Sequence, residues 1–356
     1  MKESKTEIEV QKLYSEFTRR KITFIFFLSL LLGVTAVIAV NIGSVSLEIG
    51  KVLCSIFNRI FSTNFNSEEL TSTIVWELRL PRISMGIVVG MGLAMAGAAM
   101  QGIVKNPLAS PYTLGVASAA GFGAALAIIA GVGFLGATNL WIVTNAFLFA
   151  LLSSFLILGL TKLKRATPET LILAGVAMMF LFSAMTSLLQ YMGTEEGVTA
   201  VVFWLLGNLS KATWPKVGAV SIVVFGTLPL FMKYAWDFNS LTAGDETAKS
   251  LGVNTERVRL VGLALASLVT AGAICFVGTI GFIGLASPHI SRMIIGGDHR
   301  FLLPTSCLMG AVLLLAADTA AKTILSPLIL PVGILTSFLG VPLFVYLIMK
   351  RRKEYW

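Results

Sequence analysis

Few residues in this chain are of a type that does chemistry, and most of those are basic. Arg79-Leu80-Pro81-Arg82 sets two guanidinium groups three residues apart at the head of an apolar stretch, and Lys322 stands at the end of another. Guanidinium groups at a membrane rim can grip carboxylates of an external partner bidentately, and they can equally anchor to lipid headgroups. Asp318 is the one acid well inside an apolar stretch, four residues from Lys322, the spacing of a local ion pair on a helix. His289 follows Pro288 and reads as a proton site or, more plainly, as a kinked-helix histidine bonded to a backbone carbonyl. Cys54, Cys275 and Cys307 lack metal-ligand spacing and read as small hydrophobes. No glycine-rich phosphate loop ending in Gly-Lys-Ser/Thr occurs, so the chain does not cradle ATP in that way. An ion-driven carrier would place carboxylates in mid-membrane, and the single inward acid is thin support for one.

The elements that hold these residues are set by where charge is missing. Between Lys105 and Lys162 there is no Asp, Glu, Lys or Arg, and 56% of the 356 residues are hydrophobic against 13% charged. Hydrocarbon excludes charge and demands an internally satisfied backbone, and the apolar tracts are continuous rather than alternating, so membrane helices follow. Charge and turn signals predict ten spans: 22–41, 81–104, 111–131, 140–161, 168–190, 215–234, 258–277, 280–295, 302–319 and 331–349. Around this single transmembrane unit of 22–350 lie a polar segment, 1–21, and a tail, 351–356. With the N-terminus inside, 20 of the 27 Lys and Arg fall on the inner side, which puts both termini in the cytoplasm. The net charge of +9 follows from this bias, and nucleic acid is not expected as a partner.

Two further patterns stand out. Ala96-Gly97-Ala98 precedes Leu108-Ala109-Ser110-Pro111, and Ala271-Gly272-Ala273 precedes Leu285-Ala286-Ser287-Pro288. The blocks lie five spans apart and so enter the membrane from opposite sides, as inverted repeats of transporters do. Between the sixth and seventh spans, in the inner connection of about 235–257, Asp245-Glu246 and Gly252 mark the start and stop of a short helix. Ala243, Gly244 and Ala248 are small enough for another protein to close over the backbone there. Long ordered loops are usually functional.

Together these residues resemble a known family. Leu78-Arg79-Leu80-Pro81-Arg82, Gln101, Asn106-Pro107-Leu108-Ala109, Trp204-Leu205-Leu206-Gly207, Gly281-Phe282-Ile283-Gly284-Leu285, Pro288-His289, Asp298-His299-Arg300 and Leu330-Pro331-Val332-Gly333 occur in the order of the FecCD-type permeases. These are the membrane subunits of ATP-driven importers for ferric siderophores, haem and vitamin B12. The resemblance implies an all-α, ten-helix fold of the type II importer permease kind in the bacterial cytoplasmic membrane. It implies pairing with a second copy or a similar permease, and two cytoplasmic ATP-binding subunits that hydrolyse the ATP. It implies an external solute-binding protein, no cofactor and no catalytic residue in this chain. The positions matching the family's docking residues are Arg79, Arg82 and Lys322, the last usually an arginine, so that this chain has the charge there without the planar fork. Those matching its coupling segment include Ala243, Gly244, Asp245, Ala248, Leu251 and Gly252. Ferric siderophore is the expected cargo, with vitamin B12 and haem as alternatives.

Overall fold

A computed structural model describes residues 2–43, 48–61, 69–133, 138–163 and 167–349; its regular structure, among these, is all helix. The expected tail 351–356 lies outside the described residues. The first elements are α1 (Lys2–Asn41), α2 (Ile49–Phe61), α3 (Glu69–Thr73), a π turn (Ile74–Arg79) and α4 (Leu80–Val104). Next come α5 (Val116–Ile129), α6 (Thr138–Leu163), α7 (Pro168–Met192), α8 (Glu195–Leu205) and α9 (Trp214–Lys233). The short α10 (Ala235–Thr242) and α11 (Asp245–Ser250) precede α12 (Thr255–Val277), α13 (Ile283–Ile295), α14 (His299–Thr323) and α15 (Val332–Met349).

Seven helical runs among the described residues are long and apolar enough to cross a membrane. The other three expected spans fall on the shorter α5, α13 and α15. The expected spans 111–131 and 280–295 become helical only at Val116 and Ile283, because Gly115 and Phe282 take positive φ and break the backbone just before them. The polar segment before residue 22 is not a separate element, since α1 runs through it.

The expected helix start at Pro81 is also displaced, and the reason is covalent. Proline has no N–H and its ring crowds the carbonyl four residues back, so an α-helix cannot continue through it unchanged. The preceding turn widens instead: the Leu80 N–H donates to the Val75 carbonyl five residues earlier, which is π geometry. Helical structure therefore runs from Glu69 to Val104 as one span.

That span is the centre of the bundle. Nearly every residue of α4 from Pro81 onward is buried, with α9, α12, α13 and α14 packed around it. Association in lipid relies on close packing, which small residues permit. Here the approach is backbone to backbone. A Cβ on Gly97 would lie 1.7 Å from the Gly284 carbonyl oxygen, and one on Gly90 would lie 2.4 Å from that of Gly310.

The irregular backbone beside this core is satisfied by other irregular backbone. The Asn208 N–H donates to the Val277 carbonyl at 2.7 Å, the Gly333 N–H to the Leu206 carbonyl at 3.1 Å, and the Thr279 hydroxyl to the Leu205 carbonyl. The end of α8, the break before α13 and the start of α15 thus close on one another. Non-helical backbone is tolerated at membrane depth only when buried in protein in this manner.

Gly97→Val is expected to destabilise the bundle by about 3 kcal/mol, since main chain rather than a movable side chain stands in the way. Loss of the monodisperse peak in detergent chromatography would report it, and a wild-type profile would refute the packing argument.

Candidate functional site

Two polar constellations lie near opposite ends of α14, whose length from His299 to Lys322 is roughly 35 Å at 1.5 Å per residue. The first surrounds α10 and α11. Gly244 supplies φ +118° at the corner between them, and α11 starts with Asp245, as its acid predicted. It ends in a Schellman motif: the Gly252 N–H donates to the Lys249 carbonyl at 3.0 Å and the Val253 N–H to that of Ala248 at 2.9 Å. Gly252 takes the positive φ that this motif needs.

Asp245 does more than cap a helix dipole. It accepts from Lys105 Nζ at 2.6 Å and from Arg259 Nη2 at 2.7 Å. Lys105 is the C-cap of α4, in the left-handed region, and Arg259 is a buried residue in the first turns of α12. One carboxylate thereby ties α11 to two long helices. The hydrogen bond from Arg259, reinforced by Lys105, holds its pKa down at about 2 against the opposing effect of burial.

Asn239, on α10, makes the matching attachment. Its amide Nδ2 donates to Asp298 at 2.9 Å, and its Oδ1 accepts from the His299 backbone N–H at 2.8 Å. The His299 ring Nδ1 lies 2.9 Å from the same oxygen and so must carry the proton. The other edge of that buried ring faces α4, where only Gly102 leaves room: a Cβ there would sit 2.6 Å from Nε2. Asp298 also caps α14 and pairs with Arg300 at 2.6 Å, and Arg300 lies 4.0 Å above the Trp236 ring of α10.

The small residues of this segment differ in exposure. Ala248 is fully buried in the main core. Ala243, Glu246, Lys249, Ser250 and Gly252 are exposed, and Leu251 is 67% exposed, an apolar side chain standing clear of the bundle.

The second constellation gathers Arg79, Arg82 and Lys322, and none of them stands free. Arg82 Nε and Nη2 make a fork on Asp318 at 2.8–3.1 Å, and Lys322 Nζ reaches the same carboxylate at 2.9 Å. The local pair with Lys322 was legible from the i,i+4 spacing; the fork from Arg82, 236 residues away, was not. Arg79 donates to the carbonyls of Val40 and Asn41, the second at 3.2 Å, and so caps the C-terminus of α1. Each of the three is at most 9% exposed. Within this chain, Arg82 turns its planar face to Asp318. Trp76 and Trp214, linked by a 2.9 Å indole-to-carbonyl bond, lie close by, as aromatic residues do at membrane interfaces.

Comparison with known proteins now bears on this arrangement. Residues 30–350 match the model of the FecCD transport family. The chain belongs to that family. It is accordingly a multi-pass permease of the ABC importers. A protein of Methanocaldococcus jannaschii named as an ABC transporter permease is 46% identical, over 98% of this chain and all of the relative. The cobalamin import permease of Halobacterium salinarum is 42% identical, covering 81% of this FecCD chain and 76% of the relative. A solved structure described as an inward-facing, metal-chelate-type ABC transporter superposes with a TM-score of 0.81 at 33% identity, over 92% of this chain and 99% of that one.

Asp318→Asn is expected to cost about 3–5 kcal/mol, because it leaves two buried cations without their anion. Denaturant unfolding in detergent measures this, and a loss below about 1 kcal/mol would remove Asp318 from its structural role. The attachment of α11 should be insensitive to pH at neutrality. Its Asp245 contribution is fully present above the unfolded value of about 4 and is lost only as pH falls toward about 2. Hydrogen exchange of residues 245–253 across pH 7 to 3 checks the sign, and loosening already between pH 7 and 5 would contradict it.

Proposed function

We propose that this permease carries an iron chelate, a ferric siderophore, across the cytoplasmic membrane as one of two membrane subunits in an ATP-driven importer. Two ATP-binding subunits attach on the cytoplasmic side, at the segment from Asn239 to Gly252, and both termini of the chain lie on that side. The observation that carries this reading is the exposed, rigidly capped α11 with Leu251 standing clear at its end. An apolar residue at the end of a helix that is itself anchored to two long helices is well suited to receive a push.

A solute-binding protein docks at the opposite end, around Arg79, Arg82 and Lys322. Arg82 and Lys322 share the one carboxylate of Asp318, and that trio's remaining positive charge complements acidic groups on the arriving protein. Lys322→Gln leaves Asp318 paired with Arg82 and is therefore the clean probe of docking. Capture of the binding protein is expected to weaken by about tenfold and to lose part of its salt dependence. Unchanged affinity and salt slope would remove Lys322 from the docking surface.

Relatives named for iron–hydroxamate and iron–citrate import support the iron-chelate reading. The 42% identity to a cobalamin permease supports vitamin B12 as the second reading. Reconstituted complexes offered ferric hydroxamate, cobalamin and hemin in parallel are expected to take up the iron chelate, and only with ATP, the ATP-binding subunits and the receptor. Preferred uptake of cobalamin would establish the second reading. Uptake by this chain alone on an ion gradient would defeat both.

A further inference from the structure

The α10–α11 segment meets the rest of the chain through buried Phe238, Leu241 and Ala248 and through two polar attachments, which differ in kind from that apolar packing. At Asp245 one carboxylate holds both Lys105 of the α4 C-cap and Arg259 of α12. At Asn239 one amide uses its donor on Asp298 and its acceptor on both nitrogens that His299 offers it. The His299 ring then abuts α4 at Gly102. The segment's polar bonds thus reach α4, α12 and α14 once each, and the His299 ring of α14 adds an indirect contact with α4.

Apolar contacts are non-directional and permit sliding, whereas charge-assisted bonds of 2.6–2.9 Å fix distance and angle together. A displacement imposed on α11 through Leu251 can be absorbed by slippage unless directional bonds prevent it. We propose that Asn239 and Asp245 are positioning residues for energy coupling. They lock α10 and α11 to α4, α12 and α14, so that a movement of the ATP-binding subunits becomes a movement of the translocation bundle. This rests on the reading of 239–252 as the contact with those subunits. Neither residue needs to touch solute or nucleotide.

The assembled complex in proteoliposomes tests the proposal with two readouts. A cysteine at Leu251 (L251C) reports contact with the ATP-binding subunits by cross-linking. The amount of ferric hydroxamate or cobalamin moved per ATP hydrolysed reports coupling. In the L251C background, the N239A–D245A double variant is expected to cross-link and to move about tenfold less solute per ATP, within the range of allosteric coupling energies. D245E, which keeps the carboxylate, should recover most of that ratio. An unchanged ratio in the double variant overturns the proposal, and so does a parallel fall of uptake and hydrolysis that leaves the ratio intact. If the double variant does not accumulate, N239A alone is read against the same two outcomes. Failure of L251C itself to cross-link, with transport normal, instead overturns the motor-contact reading and the proposal with it.

Discussion

Where Gly97 of α4 meets Gly284, no side chain stands between the two main chains, and the same holds where Gly90 meets Gly310. In lipid there is no hydrophobic drive to press helices together, so contact area and dispersion must be gained by proximity. Proximity at this level requires glycine at each crossing. The central burial of α4 and the packing of α13 and α14 against it follow from that requirement. So does the register that brings Gly102 beneath His299, and with it the attachment of α10.

The membrane solvent explains why much of the architecture was readable in advance. Charge exclusion marks each apolar tract, which is why long helices such as α7, α9 and α12 lie close to their expected limits. The short α5 and α13 were less well bounded. The residues ahead of α13, such as Val277 and Ile280, are as apolar as those in a helix, so composition carries no sign of the break. Only the glycines at 278, 281 and 284 signalled it, and Phe282 with positive φ had no signal at all.

The polar residues divide in the same way. Asp318 and Lys322 share a helix face and could be paired by spacing, and Asp245 was recognisable as the acid that opens a short helix. The partner of Arg82 lies 236 residues away, and Lys105, one of the two partners of Asp245, lies 140 away, distances that periodicity cannot bridge. Lys105 offered one clue: a lone cation bordering a long charge-free tract needs an anion. Asn239 offered none, because a neutral amide in a loop is indistinguishable from a solvated one until its neighbours are known.

The residues whose pattern identified the family include several at which the chain touches itself: Leu205 to Gly207, Gly284 and Gly333. At Gly207, Gly278, Gly284 and Gly333 the facing atoms are main chain, so there is no room for a side chain at these joints. A chassis built this way can be kept while its payload changes, and relatives named for cobalamin, hemin, molybdate and iron citrate accord with that freedom. Retooling such a carrier for a new nutrient would leave its joints alone and work on the walls.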